Sequence, residues 1–489
     1  MSLADWTDGL LRSVENTQRR IGESFEPSIR LGVTGLSRAG KTVFITALVA
    51  NLLQRGRMTL LDAAAEGRIE AAMLRPQPNP EAPRFDYEAH RAALYAPEPH
   101  WPDSTRQISQ LRVSIRYKPT GLLAGLTQAL AGPSTLHLDI VDYPGEWLLD
   151  LPLLNQSYAQ WARASLIAAR RPERAVAAAP WLAFLETLDP AGPPDESLAK
   201  EAAERFAAYL QASRKLGLSA VGPGRFLMPG DFAGSPAVTF APLPTPEEGG
   251  RPAPESFGRL METRFDAYKR HVVKPFFRDH FAKLDRQVVL VDALAAIDAG
   301  PAAVADLQEA MAEILACFRP GPNSWLLGML GAKRVERILF AATKADHVHH
   351  TQHPRLTAIL KALLAESLER AAYRGAEVES LALASLRATV EQDVRREGRI
   401  LHCVRGRLLE TGEEAALYPG ELPDNPAEIV EAARRAARDP QAAPGAGWLG
   451  TEYRFMRFAP PRLEWREGEG PPHLRLDKAL QFLIGDKLA

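Results

Sequence analysis

Residues 35–42, GLSRAGKT, constrain this chain more than any other stretch. They fill the pattern Gly, four residues, Gly-Lys-Ser/Thr, and they stand in the context that pattern requires. Residues 29–35 (IRLGVTG) form an apolar run of strand length, and residues 41–53 (KTVFITALVANLL) read as the helix that follows. A strand, a glycine loop and a helix in that order make a cradle for phosphate. Backbone N–H groups curl inward, and the helix start adds its positive dipole end. The expected contacts are Gly35, Ser37, Arg38, Ala39, Gly40, Lys41, Thr42 and Val43. Lys41 would reach the β- and γ-phosphates, and the Thr42 hydroxyl would coordinate Mg²⁺.

A chain of 489 residues has room for two or three units, hence for a catalytic core with large insertions. With 24% charged residues and a net charge of −1, it carries no global nucleic-acid footprint, so no nucleic-acid partner is expected. Its only cysteines, Cys317 and Cys403, have neither disulfide-framework nor zinc spacing, which fits a reducing, cytoplasmic compartment. No run reaches the 18 or so apolar residues of a membrane span, and charge from Asp5 onward leaves no signal-peptide core. The expectation is a soluble or peripherally attached chain. Leu3, Trp6, Leu10, Leu11 and Val14 predict a short amphipathic helix in residues 1–28, packed on the body of the protein or docked on a membrane surface or partner.

Residues 110–117 and 135–142 continue the sheet, and residues 29–145 are read as the first part of a nucleotide-binding core. The polar, proline-rich residues 75–102 read as a connector. Residues 146–285 turn Ala-, Leu- and Arg-rich with helical periodicity, broken by a Gly/Pro-rich segment at 219–254, and predict a helical insertion. Strands at 287–294, 337–342 and 378–385, with helices at 302–317 and 355–372 between them, make residues 286–395 the second part of the core. Such alternation means an α/β fold with a mostly parallel sheet and helices on both faces. Residues 399–404 and 453–458 suggest a small antiparallel addition within 396–471. Leu476, Leu480, Leu483 and Ile484 mark residues 472–489 as a core-facing helix.

Further motifs fall at strand ends. Asp142-Tyr143-Pro144-Gly145 matches D-x-x-G, where the carboxylate can hold the Mg²⁺ shell and the Gly145 N–H can meet the γ-phosphate. Thr343-Lys344-Ala345-Asp346 is the T-K-x-D variant of the guanine-reading motif N-K-x-D. Asp346 would accept from two guanine donors that adenine does not present together, with the Lys344 stem on the ring face. Thr343 in place of Asn removes a loop-bracing amide. Ser385, in LASLR, stands where a short loop would touch guanine O6. In WPDSTR, residues 101–106, Thr105 is the expected Mg²⁺ ligand of a first switch, with Ser104 as the neighbouring choice. Glu146 occupies the water-orienting slot, where a carboxylate would also repel the γ-phosphate and slow turnover. The compensating arginine is open among Arg106, Arg163, Arg170 and Arg171. His347, His349, His350 and His353 crowd one loop. No Cys or carboxylate completes a ligand set among residues 347–353, so the loop is expected to be solvated.

The strings GLSRAGKT, WPDSTR, VDYPGEWLLDLPLL, TKAD and LRLDKALQFLIGDKL together resemble the YcjX-like family of bacterial P-loop GTPases over most of the chain. The resemblance implies a Ras-like G domain with a helical insertion, a GTP/GDP and Mg²⁺ site, a link to stress, and a membrane-bound partner. The function expected is a Mg²⁺-dependent GTPase switch with slow intrinsic turnover. Two alternatives stay open: a P-loop ATPase in which Asp346 is incidental, and a nucleotide-stabilised scaffold whose helical insertion binds a partner.

Overall fold

The computed structural model describes residues 26–35, 39–103, 107–120, 133–244, 251–317, 335–372, 376–438, 456–464 and 466–489. Thus most of the expected N-terminal helix lies outside the described residues, as do Ser37, Arg38, Ser104, Thr105 and Arg106.

Strand β1 (Ser28–Gly35) is followed by α1 (Lys41–Gln54), and then by β2 (Ile69–Arg75), β3 (Ser109–Tyr117) and β4 (Ser134–Asp142). A helical layer comes next, with α2 (Tyr158–Ala169), α3 (Pro172–Leu185), α4 (Glu196–Lys215) and α5 (Phe257–Tyr268). The alternating part resumes with β5 (Arg286–Val291), α6 (Pro301–Cys317), β6 (Arg337–Ala342), α7 (His353–Ala372) and β7 (Glu377–Ala382). Strands β8 (Thr389–Arg396), β9 (Arg399–Arg407) and β10 (Glu414–Leu417) precede α8 (Ala427–Arg438) and α9 (Leu476–Ile484).

The main sheet runs β2-β3-β4-β1-β5-β6-β7. Strands β4, β1, β5, β6 and β7 are mutually parallel, while β3 pairs antiparallel with β4 and β2 antiparallel with β3 at the edge. This is the mostly parallel α/β sheet that the sequence predicts. Strand alternation divides its apolar residues between two layers. Val288, Leu290, Leu339 and Ala341 face a core shared with Phe44, Ile45 and Leu48 of α1 and with Leu476, Leu480, Leu483 and Ile484 of α9. Val289, Val291, Ile338 and Phe340 face the opposite core, shared with α6, α7 and the helical layer. The helices between β4 and β5 therefore share a core with the sheet. Deep inside it, Trp161 stacks on Phe265 at 5.0 Å and Trp181 on Tyr209 at 5.1 Å. Buried Arg174 of α3 pairs with Asp306 of α6, which also accepts from Ala220 N at 2.8 Å.

Some local expectations change. The stretch read as a connector holds a helix at Tyr87–Leu94, capped by the Asp86 carboxylate accepting from Ala89 N. Just before it, β2 is a half-buried edge strand with weak alternation, which explains why its pattern is faint. The Gly/Pro-rich segment, as far as residue 244, is not a free loop. Phe240, Ala241 and Leu243 are buried, and the Tyr158 hydroxyl donates to Ala241 O at 2.8 Å. A small antiparallel sheet is present in the order β10-β9-β8. Residues 399–404 fall in β9, and Phe458 joins it through a bridge to Leu408. The highly polar β8 gave no strand signal of its own. Among the described residues no helix is long and apolar enough to cross a membrane.

Candidate nucleotide-binding site

The carboxyl ends of β1, β4, β5, β6 and β7 open on one side of the sheet. The chain changes sides about β1 there, leading first to β2, β3 and β4 on one side and then crossing to β5 on the other, which is where open α/β sheets hold ligands. A cleft of about 310 Å³ lies along this edge. At one end it is lined by Gly35, Ala39, Gly40, Lys41, Thr42 and Val43, and at the other by Thr343, Lys344, Asp346 and Ser385, with Gly145 and Glu146 between them.

At the phosphate end Gly40 takes φ 81°, left-handed backbone that glycine adopts freely, and α1 begins at the next residue. The Lys41 ammonium lies 2.7 Å from Asp142 Oδ1 and donates to Tyr143 O at 2.8 Å. Thr42 Oγ1 donates to Asp103 O at 3.3 Å, which ties the helix start to the WPDSTR segment. The turn after β4 is held from behind, since the Tyr143 hydroxyl donates to Gln287 Oε1 at 2.8 Å. A Cβ on Gly145 would stand 2.0 Å from Gly35 O, so the two loops approach as closely as backbones can. Gly145→Ala should therefore force them apart, at about 1–3 kcal/mol. A lower melting temperature is expected; an unchanged one would contradict that contact.

Glu146 is buried and forms an ion pair with Arg214 at 2.6 Å. Arg214 sits in the last turn of α4 and also lines the cleft. The helical layer holds this turn at two more points. A Cβ on Gly224 would meet Glu146 O at 2.0 Å, and Trp147 Nε1 donates to Met228 O at 3.0 Å. The repulsive carboxylate anticipated from sequence thus has a guanidinium beside it. Of the arginines proposed from sequence, Arg163 and Arg170 are exposed and Arg171 pairs with Glu309 at 2.7 Å; none of these three lines the cleft.

At the other end Lys344 takes φ 59°, unusual for a residue with a side chain, and its ammonium lies 2.5 Å from Asp292 Oδ2. Thr343 is braced to β5, its N–H donating to Val291 O at 2.9 Å and its hydroxyl to the same oxygen at 3.3 Å. Asp346 is buried. Burial pushes its carboxyl up to about 6, against the opposing bond donated by Ala388 N at 2.7 Å. Ser385 is buried and lines the cleft beside Leu386 and Ala388. Trp101, Leu409 and Phe458 add apolar wall, and Trp101 Nε1 donates to Phe458 O at 2.8 Å. The four histidines do not form a solvated loop: His347, His349 and His353 are buried, and burial drives the His347 imidazole down to about 3.

The sequence profile of the YcjX-like family matches residues 29–488. The chain belongs to the YcjX-like family. The Ras-like GTPase YcjX of Escherichia coli K12 is 37% identical over 476 residues, covering 96% of this chain and 97% of the relative. The protein of the same name from Shewanella oneidensis MR-1 is 35% identical over 502 residues, covering 98% of each. These likenesses agree with a Ras-like P-loop fold, here bearing an added antiparallel edge strand, β2.

In this YcjX-like chain, sequence reasoning missed Arg214, Asp292, Trp101 and Phe458 as parts of the site. Arg214 ends a helix whose charge pattern is that of any solvated face, and nothing local marks it. Asp292 carried a weak signal, being an acidic residue directly after a buried strand of the parallel set.

Proposed function

We propose that this chain is a Mg²⁺-dependent GTPase that converts GTP to GDP and phosphate and acts as a nucleotide-controlled switch.

 One observation carries this reading. The observation is that the phosphate loop and the buried Asp346 line opposite ends of the same cleft, with Gly145 and Glu146 between them. That the relatives are named Ras-like GTPases supports the same reading.

In this reading the backbone of residues 35–43 and the Lys41 ammonium bind the phosphates. The Thr42 hydroxyl and the Asp142 carboxylate, with Thr105 from the WPDSTR segment, are oxygen donors that suit a hard dication. Mg²⁺ bound there supplies charge neutralisation on the phosphate oxygens. Glu146 orients the attacking water, and Arg214 offsets its charge and that of the γ-phosphate. Because the helical layer grips Glu146 and Trp147 directly, a shift of this turn passes into α4 and its neighbours. That layer is the natural place for a partner to read the switch. The stress link and membrane-bound partner implied by the family resemblance would attach there.

Asp346 favours guanine over adenine, and its burial makes the preference testable by pH. Its carboxyl titrates near 6, and only the ionised form accepts both guanine donors. GDP affinity should be flat above that pH and weaken as pH falls through it. Asp346→Asn should lower GDP affinity by about 2 kcal/mol, roughly thirty-fold, and abolish this pH dependence. Titration of both proteins with GDP and ADP across the acid range checks it. Unchanged GDP affinity in the variant, or tighter ADP binding by the wild type, would defeat the guanine assignment.

A further inference from the structure

The loop after Asp346 meets the small antiparallel sheet at a cluster of metal-binding side chains. His349 is shared by two groups, one with Asp393 and His402 and the other with His350 and Glu391, and within each group the ligand atoms lie within 4.8 Å of one another. His349 Nε2 is 3.6 Å from Glu391 Oε2 and 3.9 Å from Asp393 Oδ1. His350 Nδ1 is 2.7 Å from Glu391 Oε2, and His402 Nδ1 is 2.8 Å from Asp393 Oδ1. The rings of His349 and His402 stack at 4.5 Å. His349 itself is buried, and its Nδ1 lies 3.0 Å from Thr351 Oγ1, a partner that fixes the ring and leaves Nε2 toward the carboxylates.

We propose that this cluster binds one divalent transition-metal ion of the zinc class, with His349 as the central ligand. Imidazole donors select such ions over Mg²⁺ or Ca²⁺, and two carboxylates with neutral imidazoles balance a dication. Ligand atoms around tetrahedral zinc stand roughly 3.3 Å apart, so the spacings found need only modest closure. The carboxylates come from β8, whose start also holds Asp346: Ala388 N, just before the strand, donates to its carboxylate and Thr389 Oγ1, its first residue, to its carbonyl. An ion here clasps the loop that follows Asp346 to the strand that braces it. Metal binding stands apart from the GTPase reading; only the effect on guanine affinity rests on it.

The test uses the full, tag-free chain, stripped with chelator and free of nucleotide, titrated with Zn²⁺ by calorimetry and with Co²⁺ by visible absorption. One equivalent is expected, with a Co²⁺ spectrum typical of nitrogen ligation and a raised melting temperature. His402→Ala and Asp393→Asn alter partly exposed side chains and should keep the fold, as circular dichroism would verify, yet weaken binding at least ~tenfold. Absence of saturable binding, or equal binding by both variants, overturns the site. In a second titration, with Mg²⁺ and GDP, Zn²⁺ should tighten GDP binding several-fold. Unchanged GDP affinity with intact metal binding overturns the clasp, whereas failure of GDP to bind at all counts against the GTPase reading and leaves the metal result standing.

Discussion

Lys41→Ala is expected to remove measurable GTP hydrolysis and to weaken nucleotide binding by about 3 kcal/mol or more, at least ~100-fold, because charge-assisted bonds to phosphate are worth about 1.5–3 kcal/mol each. Among the described residues of the phosphate loop, Lys41 supplies the cation. The same ammonium sits beside Asp142, whose carboxylate is 1% exposed, and donates to Tyr143 O. Its loss therefore removes a bond between α1 and the turn after β4 as well as a phosphate contact. The variant should melt below the wild type before any ligand is added, and should gain less from GDP. Binding of a fluorescent guanine nucleotide and release of phosphate measure both halves. A variant binding GTP within threefold of wild type would remove the phosphate loop from the account.

The parts of the site legible in the sequence are those whose chemistry is local. A phosphate loop places its amides within one turn, so GLSRAGKT announces both its fold context and its ligand. The turn after β4 and TKAD behave likewise, each closing a strand whose apolar pattern was already plain. The same holds for α9, whose leucines lie on one face and bury as that face requires. What the sequence hid depends on chain-distant partners. Glu146 reads as a repulsive charge until α4 brings Arg214 to 2.6 Å. The histidines read as solvated until β8 and β9 supply Glu391, Asp393 and His402. Strand β8 was itself hidden, because its only aliphatic residues, Val390 and Val394, stand among charged and polar neighbours and make no sustained alternation.

Arg214→Ala tests whether the proposed switch hydrolyses nucleotide or only holds it, since Arg214 lines the cleft beside Glu146. Positive charge near the γ-phosphate matters most in the transition state, and an arginine supplied in this way is worth roughly 10³-fold or more in turnover. Arg214→Ala should therefore lower kcat by about that factor while GTP affinity changes little. It also strips Glu146 of its guanidinium, so part of the loss would come from an uncompensated carboxylate close to the γ-phosphate. Combining it with Glu146→Gln separates the two effects. If repulsion dominates, the double variant recovers much of the rate; if the arginine acts on the transition state, it stays slow. Arg214→Lys should rescue only in part, since an ammonium lacks the planar fork that holds a carboxylate and a phosphate oxygen together. Single-turnover hydrolysis with Mg²⁺·GTP, alongside melting temperatures, distinguishes a lost charge from a loosened helix. Full turnover in Arg214→Ala would confine this arginine to holding α4 against the turn after β4.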